Sequence, residues 1–291
     1  MRLSYDELLT FLSFLRVDVD NEPGDLNIVC LQSLVPKGAG PGEIGGEEVE
    51  FVPNIPDQYN DGIFLAYKHE DGSKHLASLL GTLEPGRFYT KTDPNPLGAA
   101  HLTFGQHLYT TGTHKGHPAL RSLNLMNRIW RDQNGNFRPD QGEVVYVGEY
   151  GINVHAGGKS FYIGQWSAGC INVAGGWDGK GYRLLLERAA VHVASHEAIR
   201  LTAWWGIDLI RFFERGWSHR PTLVLGMRNG WVAEMQRLLN EAGANPALVV
   251  DGDWRAKTTD ALTAFQARRG LEADGWCGPQ TWAALVTPPV A

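Results

Sequence analysis

Apolar and polar positions follow two different rhythms along this chain. From about Asn27 to Val147, short apolar stretches alternate with turn residues, as in GIFLAYKHEDGSKHLASLLGTL, GRFYTKTDPNPLG, HLTFGQHLY and GEVVYVG. That spacing predicts antiparallel strands. Asp71-Gly72 between FLAYKHE and SKHLASLL is a hairpin signal. The glycine-rich run PKGAGPGEIGGEE, Pro36 to Glu48, reads as a mobile surface loop. After Cys170 the rhythm lengthens. DGKGYRLLLERAAVHVASHE predicts a helix, IRLTAWW a further strand, and GIDLIRFFERG a short helix that runs into WSHRP, where Pro221 marks a boundary. At the other end, MRLSYDELLTFLSFLRVDVD predicts a short amphipathic helix. Asp6, Glu7 and Arg16 break its apolar run and no small-residue cleavage site follows, so it does not read as a secretion signal. The expectation is synthesis in the cytoplasm, with any work in the periplasm or cell wall requiring another export route.

The last seventy residues form a unit of their own. In WVAEMQRLL, the apolar residues Trp231, Val232, Met235, Leu238 and Leu239 fall on one helix face. KTTDALTAFQARRG predicts a second helix ended by Gly270, and PQTWAALV a third opened by Pro279. VDGDWRAKTTDAL and ADGWCGPQTWAAL echo each other, each an Asp-Gly turn followed by a helix. Two related turn-helix units around one small core predict a three-helix domain.

Composition narrows the picture. The 291 residues fit about two domains. A 43% hydrophobic and 20% charged make-up is that of a soluble globular protein, and 35 glycines with 15 prolines favour a turn-rich β body. The fold class is therefore α+β. A net charge of -6 gives no basic footprint for nucleic acid, and no apolar run is long enough to insert in a membrane. Cys30, Cys170 and Cys277 are odd in number and widely spaced, which excludes a disulfide framework and a zinc ribbon. Cys30 lies in the apolar run NIVCLQSL and Cys277 in a glycine-rich turn without a nearby histidine.

Only GINVHAGGKSFYIGQWSAGCINV, Gly151 to Val173, carries a cysteine in a chemical setting. Cys170 is either a small hydrophobe or a nucleophile with His155 as its base. A thiolate attacks an amide carbonyl far better than a thiol, and a neighbouring imidazole supplies thiolate at neutral pH. Gly169 lets the backbone turn tightly and the substrate approach. N–H groups around Gly169 and Cys170 would hold a developing oxyanion, worth about 3 kcal/mol for one donor. His155 ends one predicted strand and Cys170 begins another, so the two meet if these strands are neighbours. The order histidine then cysteine fits poorly with papain-like enzymes, which place the cysteine first.

Other candidates are weaker. Histidines 101, 107, 114 and 117 are dense but lack HExxH spacing, so neither metal nor cofactor is expected. DQNGNFRPDQGE, Asp132 to Glu143, has oxygen side chains at several positions of a calcium loop, yet its glycine is misplaced and Pro139 interrupts it; a polar turn explains it as well. Lys115, Arg128 and Arg131 are cations able to clamp a substrate carboxylate, and Trp166 would line an acyl pocket or the core.

Two resemblances organise these readings. Leu225-Gly226, Gln236-Arg237-Leu238-Leu239, Val250-Asp251-Gly252-Asp253, Ala264-Phe265-Gln266, Ala273-Asp274-Gly275, Gly278-Pro279 and Thr281-Trp282 resemble the peptidoglycan-binding domain family, across nearly all of residues 221 to 287. That family implies a small helical module that holds an enzyme on the wall polymer. VHAGG…SAGCIN is similar to the signature of the L,D-transpeptidase catalytic domain family, a histidine followed by Ser/Thr-His-Gly-Cys-hydrophobic-Arg/Asn. Ala168 stands where that family has histidine, and residues 156–166 form a slightly short spacer. Ser-Ala-Gly-Cys versions occur in phage lysins and secreted effectors, delivered by a holin or a contact-dependent secretion machine, with an immunity protein or the delivery machinery as possible partners. The resemblance implies that Cys170, His155, Gly169 and Ser167 are catalytic and that Asn172, Ala168, Trp166 and Arg131 contact the substrate. It implies a β-rich L,D-transpeptidase-like domain over residues 51–205, after an N-terminal extension of uncertain role (1–50). A linker helix (206–220) and the binding domain (221–287) follow. The implied activity is cleavage of the diaminopimelate–D-amino acid bond of the stem peptide. Cross-link formation is the alternative, and a noncatalytic wall binder the alternative of another class.

Overall fold

The computed structural model describes residues 1–92, 95–139 and 143–287. The first helix, α1 (Tyr5–Phe14), is closed by a reciprocal cap: the Glu7 N–H donates to the Ser4 hydroxyl, and the Ser4 N–H donates to the Glu7 carboxylate. The chain then runs through β1 (Leu26–Gln32), β2 (Leu34–Pro36), β3 (Val49–Phe51), β4 (Asp61–Lys68), β5 (Lys74–Thr82), α2 (Arg87–Lys91), β6 (Ala99–Leu102), β7 (Gly105–His114) and β8 (His117–Ser122). It continues through β9 (Asn127–Asp132), β10 (Tyr146–Gly148), β11 (Val154–Ala156), β12 (Ile171–Val173), α3 (Lys180–Val193), β13 (Ile199–Trp205) and α4 (Gly206–Arg215). Helices α5 (Gly230–Glu241), α6 (Ala256–Arg268) and α7 (Pro279–Val286) complete it.

Eight strands close into a barrel in the order β1-β13-β7-β8-β11-β12-β5-β4, flanked by a sheet of β10-β9-β6 and the pair β2-β3. Most ladders are antiparallel, as the turn spacing predicts; β1 with β13 and β11 with β12 run parallel. The Asp71-Gly72 turn joins β4 to β5. Gly72 sits at φ +81 and the Asp71 carboxylate accepts the Ser73 N–H at 2.9 Å. All the helices expected from the pattern are present, α5 capped by Asn229 and α7 opened by Pro279.

Three boundaries differ from the sequence reading. The barrel does not begin at residue 51. β1 lies between β13 and β4, and the barrel cannot close without it. Its residues are buried on both faces: Leu26, Ile28 and Cys30 fill the barrel, while Val29 and Leu31 face outward into a second core. A strand covered on both sides reads as a continuous apolar run, which is what NIVCL is. Residues 206–220 are no tether, since Leu209 and Phe212 of α4 are buried in that second core. The Pro36–Glu48 loop is pinned: Gly42 N–H donates to Ala174 O at 2.9 Å, and Gly45 forms a bridge to Ser78 of β5.

The second core contains α1, the outer faces of β1 and β4, α4 and all three C-terminal helices. Phe14 is its hub, with ring centroids 4.5 Å from Phe212 and 5.4 Å from Trp231. The Trp231 indole N–H donates to Phe14 O at 2.6 Å. Farther round, Arg128 of β9 pairs with buried Asp253 at 2.6 Å, so this cation is held in the domain junction and does not face a substrate. No helix among the described residues is long and apolar enough to cross a membrane.

Candidate functional site

The short strands β11 and β12 lie side by side in parallel, with Val154 opposite Ile171, His155 opposite Asn172 and Ala156 opposite Val173. Parallel neighbours need a long crossover. Here it is the irregular loop 157–170, which delivers Cys170 to the mouth of β12, two residues before the partner of His155. Glycines allow this path. A side chain at Gly157 would strike the Tyr59 hydroxyl, and at Gly158 the Trp166 indole. Gly169 adopts φ +136, and a Cβ there would sit 2.5 Å from Ala100 O.

The Cys170 sulfur, one ring nitrogen of His155 and one of His114 all lie within 4.8 Å of one another. Cys170 is half-buried as a residue; the Asn153 N–H donates to its sulfur at 3.5 Å, and the thiol donates to Gly151 O at 3.4 Å. His155 is buried, and its Nδ1 lies 2.9 Å from Ala156 O. A proton on Nδ1 makes that hydrogen bond and leaves the Nε2 lone pair for the thiol. The Asn172 amide nitrogen is 3.2 Å from Nε2 and 3.5 Å from Nδ1. Near-equal distances place it beside the ring, not along either lone pair.

His155 is flanked by rings. His114 stacks on it at 4.5 Å and 9°, and Trp177 at 5.9 Å and 20°, with His117 stacked on Trp177 at 4.2 Å. The Asn153 amide lies 3.0 Å from His114 Nδ1 and holds that ring in place. Burial, with His114 and Lys115 adding to it, lowers the His155 pKa to about 4. Burial raises that of the Cys170 thiol, opposed by the Asn153 N–H and Lys115. The resting pair is a neutral thiol beside a neutral imidazole, an arrangement in which the imidazole can take up the thiol proton.

The remaining sequence candidates divide. Ser167 is fully buried and braces the turn: its hydroxyl donates to Cys170 O at 2.7 Å and accepts the Gly169 N–H at 3.0 Å. The Gly169 N–H is therefore engaged within the turn, which leaves the Cys170 N–H as the neighbouring donor for an oxyanion. Asn172, fully buried under His155, supports the imidazole and has no exposed face for a peptide. Ala168 and Trp166 are exposed on the same loop, and the Trp166 ring lies 6.4 Å from that of Trp177. Arg131 sits opposite Ala100 in the sheet, its guanidinium 5.9 Å from the Tyr150 ring and donating to Gly98 O at 2.8 Å. His114 was not tied to the site by sequence. Barrel closure brings the β7–β8 hairpin against β11, and no local pattern announces that.

Two donor clusters could be considered for a metal among the described residues: His114, His155 and Cys170, and Asp25, His192 and His196. In the first, the parallel histidine rings point their lone pairs side by side and do not converge. In the second, His192 accepts the Leu26 N–H at Nδ1 and faces Ala198 O from Nε2, so neither nitrogen is free. The Asp132–Glu143 stretch lies partly outside the described residues. Within them, the Asp132 carboxylate already accepts the Asn136 and Phe137 N–H groups, as a polar turn requires.

The C-terminal unit repeats one buried polar node. The Gln236 amide oxygen accepts the Asp251 and Gly252 N–H groups while its nitrogen donates to Asp251, Asp253 O and Thr258. Gln266 does the same with Gly275, Asp274, Trp276 O and Thr281. The sequence echo is thus a repeated hydrogen-bond motif. No curated protein and no solved structure matches the chain. Residues 228–285, which hold α5, α6 and α7, match the family described as putative peptidoglycan binding domain, so this part of the chain is a peptidoglycan-binding domain with peptidoglycan as its partner.

Proposed function

We propose that the barrel is a cysteine-dependent acyl-transfer enzyme acting on the stem peptides of the polymer that the C-terminal domain binds. The observation that carries this reading is the approach of the Cys170 sulfur to a His155 ring nitrogen, within 4.8 Å, at the end of a glycine-shaped loop. Cys170 attacks the carbonyl of the diaminopimelate residue as its proton passes to His155 Nε2. The resulting imidazolium protonates the departing D-amino acid nitrogen, leaving a thioester. Water, activated by the same imidazole, then resolves the acyl-enzyme. The reaction is then an L,D-carboxypeptidase or endopeptidase cleavage, on the wall side of the cell membrane. An amine acceptor in place of water gives a cross-link.

The test is incubation of purified muropeptides with wild-type and Cys170→Ala protein, followed by mass spectrometry. Loss of a terminal D-alanine in wild type alone supports hydrolysis. Dimers in wild type alone shift the reading to transpeptidation. Identical, unchanged profiles leave a wall-binding protein without catalysis.

A further inference from the structure

Behind the nucleophile loop, a second concavity opens where the barrel end meets the peptidoglycan-binding domain. Ala100, whose carbonyl Gly169 packs against, is followed in β6 by His101, which lines it. The cavity measures about 150 Å³, with Gln32, Glu84, His101, Trp130 and Trp205 contributed by the barrel body and Trp276 by the binding domain. A cavity of about this volume takes one six-membered ring.

Its polar groups are buried and incompletely used. Glu84 and His101 are each 4% exposed. Both recorded hydrogen bonds to the Glu84 carboxyl, from Gln32 and Asn54 at 2.7 Å, go to the same oxygen, Oε1. His101 Nε2 is buried with no hydrogen-bond partner; the nearest carboxylate oxygen, of Asp132, is 3.8 Å away and accepts the Phe137 N–H. A buried polar atom left unpaired is unfavourable, so this nitrogen gains from an occupant that can bond to it. Burial holds the Glu84 carboxyl well above the ordinary carboxylate range and lowers the His101 pKa to about 3, so both are uncharged near neutrality.

Most of the remaining wall is aromatic, completed by aliphatic side chains and by Arg138. The His101 ring stacks on Trp130 at 4.3 Å, Phe104 lies 4.3 Å from Trp205, and Trp276 lies 5.8 Å from Trp205. The Trp276 indole is fixed by donating to Pro139 O at 3.0 Å. Flat apolar faces beside uncharged hydrogen-bonding groups match a sugar, whose C–H faces lie on indoles while its hydroxyls need both donors and acceptors. Glu84 and His101 offer no counter-charge to a charged ligand, and Arg138 is the charged side chain on the wall.

We infer that this cavity is a saccharide subsite that takes one uncharged pyranose ring of a glycan strand and holds it between the two domains. The inference rests on the wall-binding role of the C-terminal domain and is independent of Cys170. A ring seated here contacts both domains at once, so the glycan would fix where the nucleophile loop sits along the strand.

The test is titration of the full-length protein, wild type and Cys170→Ala, with N-acetylglucosamine tetramer, read by tryptophan emission and calorimetry. A saturable emission change in both proteins is expected, with affinity at least tenfold weaker in His101→Leu and in Trp276→Ala. Trp276 is half-buried at the rim, so its replacement keeps the variant set informative if His101→Leu fails to fold. No saturable binding by wild type, or binding unchanged in Trp276→Ala, overturns the inference; the second result would place the sugar on another face. Sugar binding that persists in a protein unable to process muropeptides would leave this site standing and remove only the enzyme reading.

Discussion

At the residue scale, the environment of His155 sets how activity should depend on pH. The base must be unprotonated to accept the thiol proton, and burial beside His114 and Lys115 lowers its pKa to about 4. Stem-peptide cleavage should therefore rise with pH through about 4 and be nearly level by pH 5–6, without the fall near 6.5 of an ordinary histidine. Replacing Lys115 by Met removes a charge that lowers the His155 pKa, so the acid limb should move upward. A profile of kcat/KM from pH 3.5 to 8 for both proteins reads this. An acid limb at or above 6.5 in wild type would instead mean that burial does not depress this imidazole. Cys170 and His155 were legible because one contiguous stretch holds both, and Gly169 because only glycine precedes a nucleophile at such a φ. Ser167 and Asn172 were recognised as belonging to the site, but their work is bracing, which side-chain orientation decides and residue type does not. His114 was illegible as a site residue, since its approach to His155, 41 positions on (155 − 114), depends on distant strands meeting in a closed barrel.

At the scale of elements, alternation and turn chemistry predicted strands and helices well, and misjudged those whose partners lie far along the chain. The β4–β5 hairpin was readable because Asp71-Gly72 fixes it locally. β1 was read as a buried run but assigned to an extension, because its parallel partner β13 lies some 170 residues later. In the C-terminal domain the repeated Asp-Gly turns were visible, and Gln236 and Gln266 stood in the matched motifs, but their role in organising the turns was not, since an isolated Gln on a helix usually faces solvent. Gln236 and Gln266 are each about 1% exposed and satisfy two backbone N–H groups or one, together with a carboxylate and a hydroxyl. Gln266→Leu leaves the Gly275 N–H and the Asp274 and Thr281 oxygens without their buried partner. The expected loss is about 2–3 kcal/mol, measured as a lower urea midpoint, and Gln236→Leu should match it or exceed it. A change below about 0.5 kcal/mol in both variants would show that these nodes are replaceable by apolar packing.

At the scale of the whole molecule, the N-terminal helix unites the two halves. α1 was legible as an amphipathic helix, but not its role, because its apolar face meets α4 and α5 roughly two hundred residues away. Phe14 is fully buried, stacked on Phe212 and packed on Trp231, and its carbonyl accepts the Trp231 indole N–H. Arg16 extends the seam, 4.0 Å over the Trp231 ring and paired with Glu234 at 2.8 Å. One continuous apolar core across α1, the barrel wall and the C-terminal helices makes the wild type a single cooperative unit, although it contains two domains. Calorimetry should show one transition. Phe14→Ala removes the hub at a cost of about 3–5 kcal/mol and should separate the melt into two transitions, one for the barrel and one for the peptidoglycan-binding domain. The Cys170–His155 geometry does not depend on this seam, so the variant should still process small soluble muropeptides below its first transition while losing efficiency on intact wall. A wild type that already melts in two steps would mean that the junction is too weak to couple binding to catalysis, and Phe14→Ala would then lower only one of them.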